Sequence, residues 1–236
     1  MSLLGSLATY CPERMKQLLR HAPALKRAAF QLEFGFPVPA LDTSLAGYPK
    51  LLRTIERHNL LAVAGDFVEI GVFLGGGTYK LAKYLETRSS SKLIYALDEF
   101  MLTPELLTSP RHANALDIYG QVHKAYGDGL SQFEIYRRVT QDFKNIITIK
   151  GDSKAVQIPA VSISFALIDG NHEFSYVKND IDLVWPKLSP KGVVAFDDYD
   201  SNCPDVIAAV DEFMQAHKLE IAHWWQLDRF MCLKKA

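Results

Sequence analysis

From Gly65 onward, short unbroken apolar runs alternate with longer segments whose apolar residues recur at helical spacing. Continuous apolar runs read as strands buried on both faces, and the periodic segments as amphipathic helices. The pattern predicts strands over Asp66–Ile70, Lys92–Leu97, Ile146–Lys150, Ser164–Ile168 and Gly192–Phe196. Helices are expected over Thr78–Thr87, with Leu81, Ala82 and Leu85 inward, and over Tyr176–Leu188 and Pro204–His217. Glu220–Trp225 and Phe230–Leu233 are close enough to pair as a terminal hairpin about Leu227-Asp228. Together these elements imply an α/β fold. It is Rossmann-like: a seven-stranded, mostly parallel sheet with an antiparallel last strand and helices on both faces.

Residues 1–60 follow another pattern and read as a helical cap or assembly region on a main domain spanning 61–236. Met15, Leu18, Leu19, Ala22 and Leu25 fall near helical spacing, with Pro23 as an expected interruption. Phe34–Ala40 is a turn-rich connector, and helical periodicity resumes from Tyr48 to Leu61. One connection is too long for a simple crossover: the stretch between Asp98 and Ile146. Leaving a ligand-binding rim, its residues at about 100–140 read as a lid, with His112, Tyr119, His123 and Tyr126 as candidate pocket residues.

A net charge of −1 with scattered Lys and Arg gives no electrostatic footprint for nucleic acid. No run approaches the ~18 apolar residues of a membrane span, and Met1–Leu7 lacks a signal-like pattern. Cys11, Cys203 and Cys232 show no metal or redox spacing, which fits a reducing compartment. A cytoplasmic protein without nucleic-acid or membrane partners is expected, and the apolar N-terminal helices make a homo-oligomer plausible.

Chemistry concentrates where the strands end. Phe165–Ile168 runs into Asp169-Gly-Asn-His172, and Val193–Phe196 into Asp197-Asp198. A parallel sheet places such ends side by side at its ligand-binding rim. Asp169, Asp197 and Asp198 would then offer oxygen donors to a hard divalent cation, with His172 as a base beside them. Upstream, strand Asp66–Ile70 passes into a glycine turn and a helix through Glu69, Gly71, Gly75, Gly76, Gly77 and Thr78. Glycine there allows a sharp turn and close ligand approach, but the spacing is neither the dinucleotide GxGxxG nor a P-loop. Asp98, ending the next strand, suits ribose hydroxyls; Asp152 and Ser153, after strand Ile146–Lys150, suit an adenine amino group.

Taken in order, Glu69-x-Gly71-x-x-x-Gly75, Asp98, Gly151-Asp152-Ser153 and Asp169 resemble the class I S-adenosylmethionine-dependent methyltransferases. Gly65–Gly76, Ile168-Asp-Gly-Asn-His172 and Phe196-Asp-Asp-Tyr199 are similar, more narrowly, to the macrocin and mycinamicin O-methyltransferases. That resemblance implies S-adenosylmethionine and a divalent cation, Mg²⁺ or Mn²⁺, as cofactors. The implied acceptor is a small vicinal diol, a sugar or glycoside, whose hydroxyl is acidified by the cation and deprotonated by His172. A catechol acceptor remains open, as does a non-catalytic adenosyl-nucleoside-binding module. A nicotinamide oxidoreductase is opposed by the missing GxGxxG and the closing hairpin.

Overall fold

The computed structural model describes residues 23–38, 47–101 and 130–236. The expected helical positions Met15–Ala22, most of the proposed lid with its His and Tyr residues, and Cys11 lie outside the described residues. The elements run α1 (Pro23–Phe34), α2 (Tyr48–Arg57), β1 (Asp66–Ile70), α3 (Gly76–Thr87), β2 (Ile94–Asp98), α4 (Gln132–Thr140), β3 (Ile146–Lys150), β4 (Ile163–Ile168), α5 (Phe174–Val184), β5 (Leu188–Phe196), α6 (Pro204–Ala216), β6 (Ile221–Leu227) and β7 (Phe230–Lys235). Pro23 is the first described residue of α1, where a first-turn position needs no amide donor.

One sheet contains the strands in the order β3-β2-β1-β4-β5-β7-β6. Strands β1 to β5 pair in parallel, and β7 pairs antiparallel to both β5 and β6. This is the expected architecture. Alternation along each strand splits the core between the two faces. Phe67, Phe165, Val193 and Ala195 face α1, α2 and α3, meeting Phe30, Phe34, Leu51, Leu52, Ile55, Leu81 and Leu85. Val68, Ile70, Ala166, Ile168, Val194 and Phe196 face α5 and α6, meeting Val177, Ile181, Val206 and Val210. The first two helices thus share one core with the sheet.

Two boundaries differ from expectation. Helix α5 ends at Val184, a 3₁₀ turn over Trp185–Lys187 follows, and β5 starts at Leu188 instead of Gly192. Pro186 cannot continue the helical hydrogen bonding, and Leu188 is buried against Ile163 of β4. Within the stretch expected as a lid, α4 is a regular helix. It is started by a capping box in which Ser131 and Glu134 each satisfy the other's backbone amide. Among the described residues, no helix is long and apolar enough to cross a membrane.

Candidate active site

The parallel ladders continue one residue past the strands and fix the rim. Gly71 N–H donates to the Leu97 carbonyl at 2.8 Å, Asp169 N–H to Ile70 at 2.8 Å, and Asp197 N–H to Ile168 at 3.0 Å. Gly71, Asp98, Asp169 and Asp197 therefore stand in one row. At Gly71 the backbone has φ +85°, and a Cβ there would lie 1.8 Å from the Asp169 carbonyl oxygen. Only glycine lets the turn after β1 pass this close to β4.

Glu69 was expected to face a ligand. It is instead fully enclosed: Thr78 Oγ1 donates to Oε2 at 2.6 Å, and the Tyr48 hydroxyl donates to Oε1. Burial pushes its carboxyl up to about 7 against the pull of these two bonds and of Lys80. Glu69 and Thr78 thus brace the start of α3 from beneath. The glycines serve the same packing: a Cβ at Gly77 would meet the Tyr48 hydroxyl at 1.9 Å, and one at Gly75 the Tyr136 ring at 2.9 Å. Tyr48, from α2, was not anticipated; a carboxylate within an apolar strand was the only hint that a buried donor must exist.

Asp98 ends β2 and ties the glycine turn down, accepting from Phe73 N–H at 2.9 Å and Phe100 N–H at 2.7 Å. Gln132 of α4 donates to it at 3.3 Å and to the Phe73 carbonyl at 3.0 Å, so α4 closes on this corner. Asp98 Oδ1 already accepts from both Phe100 and Gln132, so a ligand hydroxyl there would take the place of the long Gln132 bond. Asp152 accepts from Lys154 N–H at 2.8 Å and Tyr176 at 3.2 Å. Ser153, expected to present its hydroxyl at the rim, is buried against α5, where its hydroxyl accepts from Asn179 Nδ2 at 3.4 Å. Its role is to seat the loop after β3.

His172 joins the two acidic clusters. Its Nε2 lies 3.8 Å from Asp169 Oδ1 and 3.3 Å from Asp198 Oδ2, and its side chain is 41 % exposed. The imidazole is raised above its ordinary value, chiefly by the Asp169 carboxyl, with burial opposing and Asp198 adding to the rise. On the far side Nδ1 faces Cys203 Sγ at 3.6 Å.

A family model described as "Methyltransferase domain" matches residues 68–199, more than half of the chain. The chain belongs to this methyltransferase family. No curated protein matches it in sequence. Among solved structures, the O-methyltransferase NovP is similar with a TM-score of 0.63 and 19 % identity, over 92 % of this chain and 89 % of that one. CalS11, a TDP-rhamnose 3'-O-methyltransferase of calicheamicin biosynthesis, gives 0.53 and 18 %, over 94 % and 91 %. MycE of the mycinamycin pathway, solved with Mg, SAH and mycinamycin VI, gives 0.52 and 15 %, over 96 % and 64 %.

In this methyltransferase the three rim carboxylates do not close on a single point. Arg229 spans two of them, with Nη2 2.6 Å from Asp197 Oδ2 and Nη1 2.9 Å from Asp198 Oδ1. Its side chain is 51 % exposed while that of Asp197 is 4 %. The sequence marked only a hairpin turn about Leu227-Asp228, with no cation from it at the rim. The pairing of Phe196 with Met231 carries that turn to the end of β5, where Tyr199 N–H donates to the Arg229 carbonyl at 2.8 Å. Even with Arg229 present, burial together with the Asp197 and Asp198 charges pushes Asp169 up to about 8, against the pull of His172. The rim thus resists ionising all three carboxyls against a single guanidinium, and added positive charge there would favour the ionised form. Its oxygen-only carboxylate donors suit a hard divalent cation in kind and in charge.

Proposed function

We propose that this methyltransferase transfers a methyl group from S-adenosylmethionine to a hydroxyl of a small-molecule vicinal diol, most simply a sugar or glycoside. The observation that carries the reading is His172 standing between Asp169 and Asp198, on the rim the glycine turn shares with Asp98. The O-methyltransferase activities of NovP and CalS11, and the Mg and SAH bound to MycE, support the same chemistry.

An alcohol holds its proton too tightly to be a good nucleophile at neutral pH, and a sulfonium methyl is electrophilic without help. The protein's task is therefore to place the oxygen in line with the methyl carbon and to remove the proton. Asp98, fixed by two backbone amides, is set to accept from ribose hydroxyls, while the Gly71 turn brings the cofactor end of α3 against Asp169. Asp169, Asp197 and Asp198 are the residues to hold a divalent cation, which when bound acidifies and orients an acceptor hydroxyl. His172 takes the hydroxyl proton on a ring nitrogen, and the flanking carboxylates stabilise the imidazolium that results. The α4 contact through Gln132 covers the corner of the pocket nearest Asp98.

The test is methyl transfer to a panel of nucleotide-sugar and glycoside acceptors, with Mg²⁺ and with chelator. Turnover that needs Mg²⁺ and falls at least about a hundredfold in His172→Ala, with S-adenosylhomocysteine affinity retained, supports the reading. Turnover indifferent to chelator, or undiminished in His172→Ala, sinks it.

A further inference from the structure

Cys203 plays no part in the chemistry above, yet its thiol stands on the open side of His172 with Nδ1 at 3.6 Å. Asp198 faces the same ring from the other side at 3.3 Å. One donor atom each from His172, Asp198 and Cys203 lie within 4.8 Å of one another, and all three side chains reach solvent. Four-coordinate zinc, with bonds of about 2.0–2.3 Å, places its ligand atoms roughly 3.3–3.8 Å apart. The observed set is therefore within about 1 Å of closure, a distance that rotation of the partly exposed thiol and of the exposed imidazole covers.

We propose that His172, Asp198 and Cys203 form a second metal site, selective for a thiophilic borderline cation such as Zn²⁺ or Co²⁺. Imidazole and thiolate favour such ions, whereas Mg²⁺ avoids sulfur and demands oxygen. One ring nitrogen of His172 binds the ion, and the other keeps its N–H for a neighbouring carboxylate, the usual arrangement for metal-bound histidine. The thiol proton passes to solvent as the sulfur–metal bond forms, so binding weakens as pH falls. Three protein ligands leave a fourth position for water.

The consequence for turnover rests on the function proposed above: an ion bound here takes the His172 nitrogen and one of the Asp198 oxygens away from the reaction. Zn²⁺ is then an inhibitor acting on the base rather than a substitute for Mg²⁺.

The test is absorption spectroscopy of Co²⁺ added to the reduced, metal-stripped full chain. The expected result is a near-ultraviolet thiolate-to-cobalt charge-transfer band saturating at about one equivalent and bleached by Zn²⁺. Cys203→Ser should lose the charge-transfer band while keeping its fold, since serine is a favoured residue at this helix N-cap position. His172→Ala should weaken Co²⁺ binding by at least about tenfold. Absence of the band in the native protein, or its survival at full strength in Cys203→Ser, overturns the proposal. Because Mg²⁺ gives no thiolate band, this readout stands or falls independently of Mg²⁺-dependent methyl transfer.

Discussion

Arg229 is the residue whose removal says most about the rim. In Arg229→Met the apolar stem is retained and both charge-assisted bonds, at 2.6 and 2.9 Å, are lost. Asp197 keeps one bond, from the Asp198 amide at 2.8 Å, but its outer oxygen is left almost enclosed without a partner. Breaking a fully buried pair costs about 3–5 kcal/mol. The half-exposed guanidinium brings this down to about 2 kcal/mol through solvent screening. For a chain of this size that is a drop of roughly 4–8 °C in Tm, measured by differential scanning fluorimetry at low salt in chelator. On the proposed function, a divalent cation would draw on the same two carboxylates that Arg229 holds. Saturating Mg²⁺ should therefore raise the Tm of the variant more than that of the native protein, recovering most of the loss. An unchanged Tm in chelator would refute the energetic argument. A deficit that Mg²⁺ leaves untouched would refute the competition.

Two further substitutions test the supports of the site. Tyr48→Phe removes the α2 hydroxyl from Glu69; it should cost about 1–2 kcal/mol in urea denaturation and weaken S-adenosylhomocysteine in calorimetry. Equal affinity would free the glycine turn from any dependence on α2. Asp180 is buried, its Oδ2 has no partner among the described residues, and burial pushes it up from 3.8 to about 6. A carboxyl raised this way keeps its proton longer in the native state. Its contribution is therefore lost as pH rises from about 4 to 7, by on the order of 3 kcal/mol. Asp180→Asn should flatten the stability profile over that window; parallel profiles for the two proteins would contradict the assignment.

The strands were legible because parallel strands buried on both faces leave unbroken apolar runs, as in Phe165–Ile168. The rim order of Gly71, Asp98, Asp169 and Asp197 followed from the strand ends. What sequence could not carry was side-chain direction. Glu69 and Ser153 were expected to face a ligand, but one is sealed by Tyr48 and Thr78 and the other packs on α5. The β5 start was hidden because Ser189-Pro190-Lys191, with Lys191 at φ 68°, carries turn chemistry inside a strand. Arg229 was missed through distance along the chain, although an antiparallel partner for β5 must turn at the same rim as Asp197.

The central claim is tested most directly by titrating S-adenosylhomocysteine into the purified protein by calorimetry, with Mg²⁺ present. The account predicts saturable binding at one site per chain, lost in Asp98→Ala that still melts cooperatively. No heat from the native protein under these conditions would contradict it, and would leave the Gly71 turn and Asp98 to some other ligand.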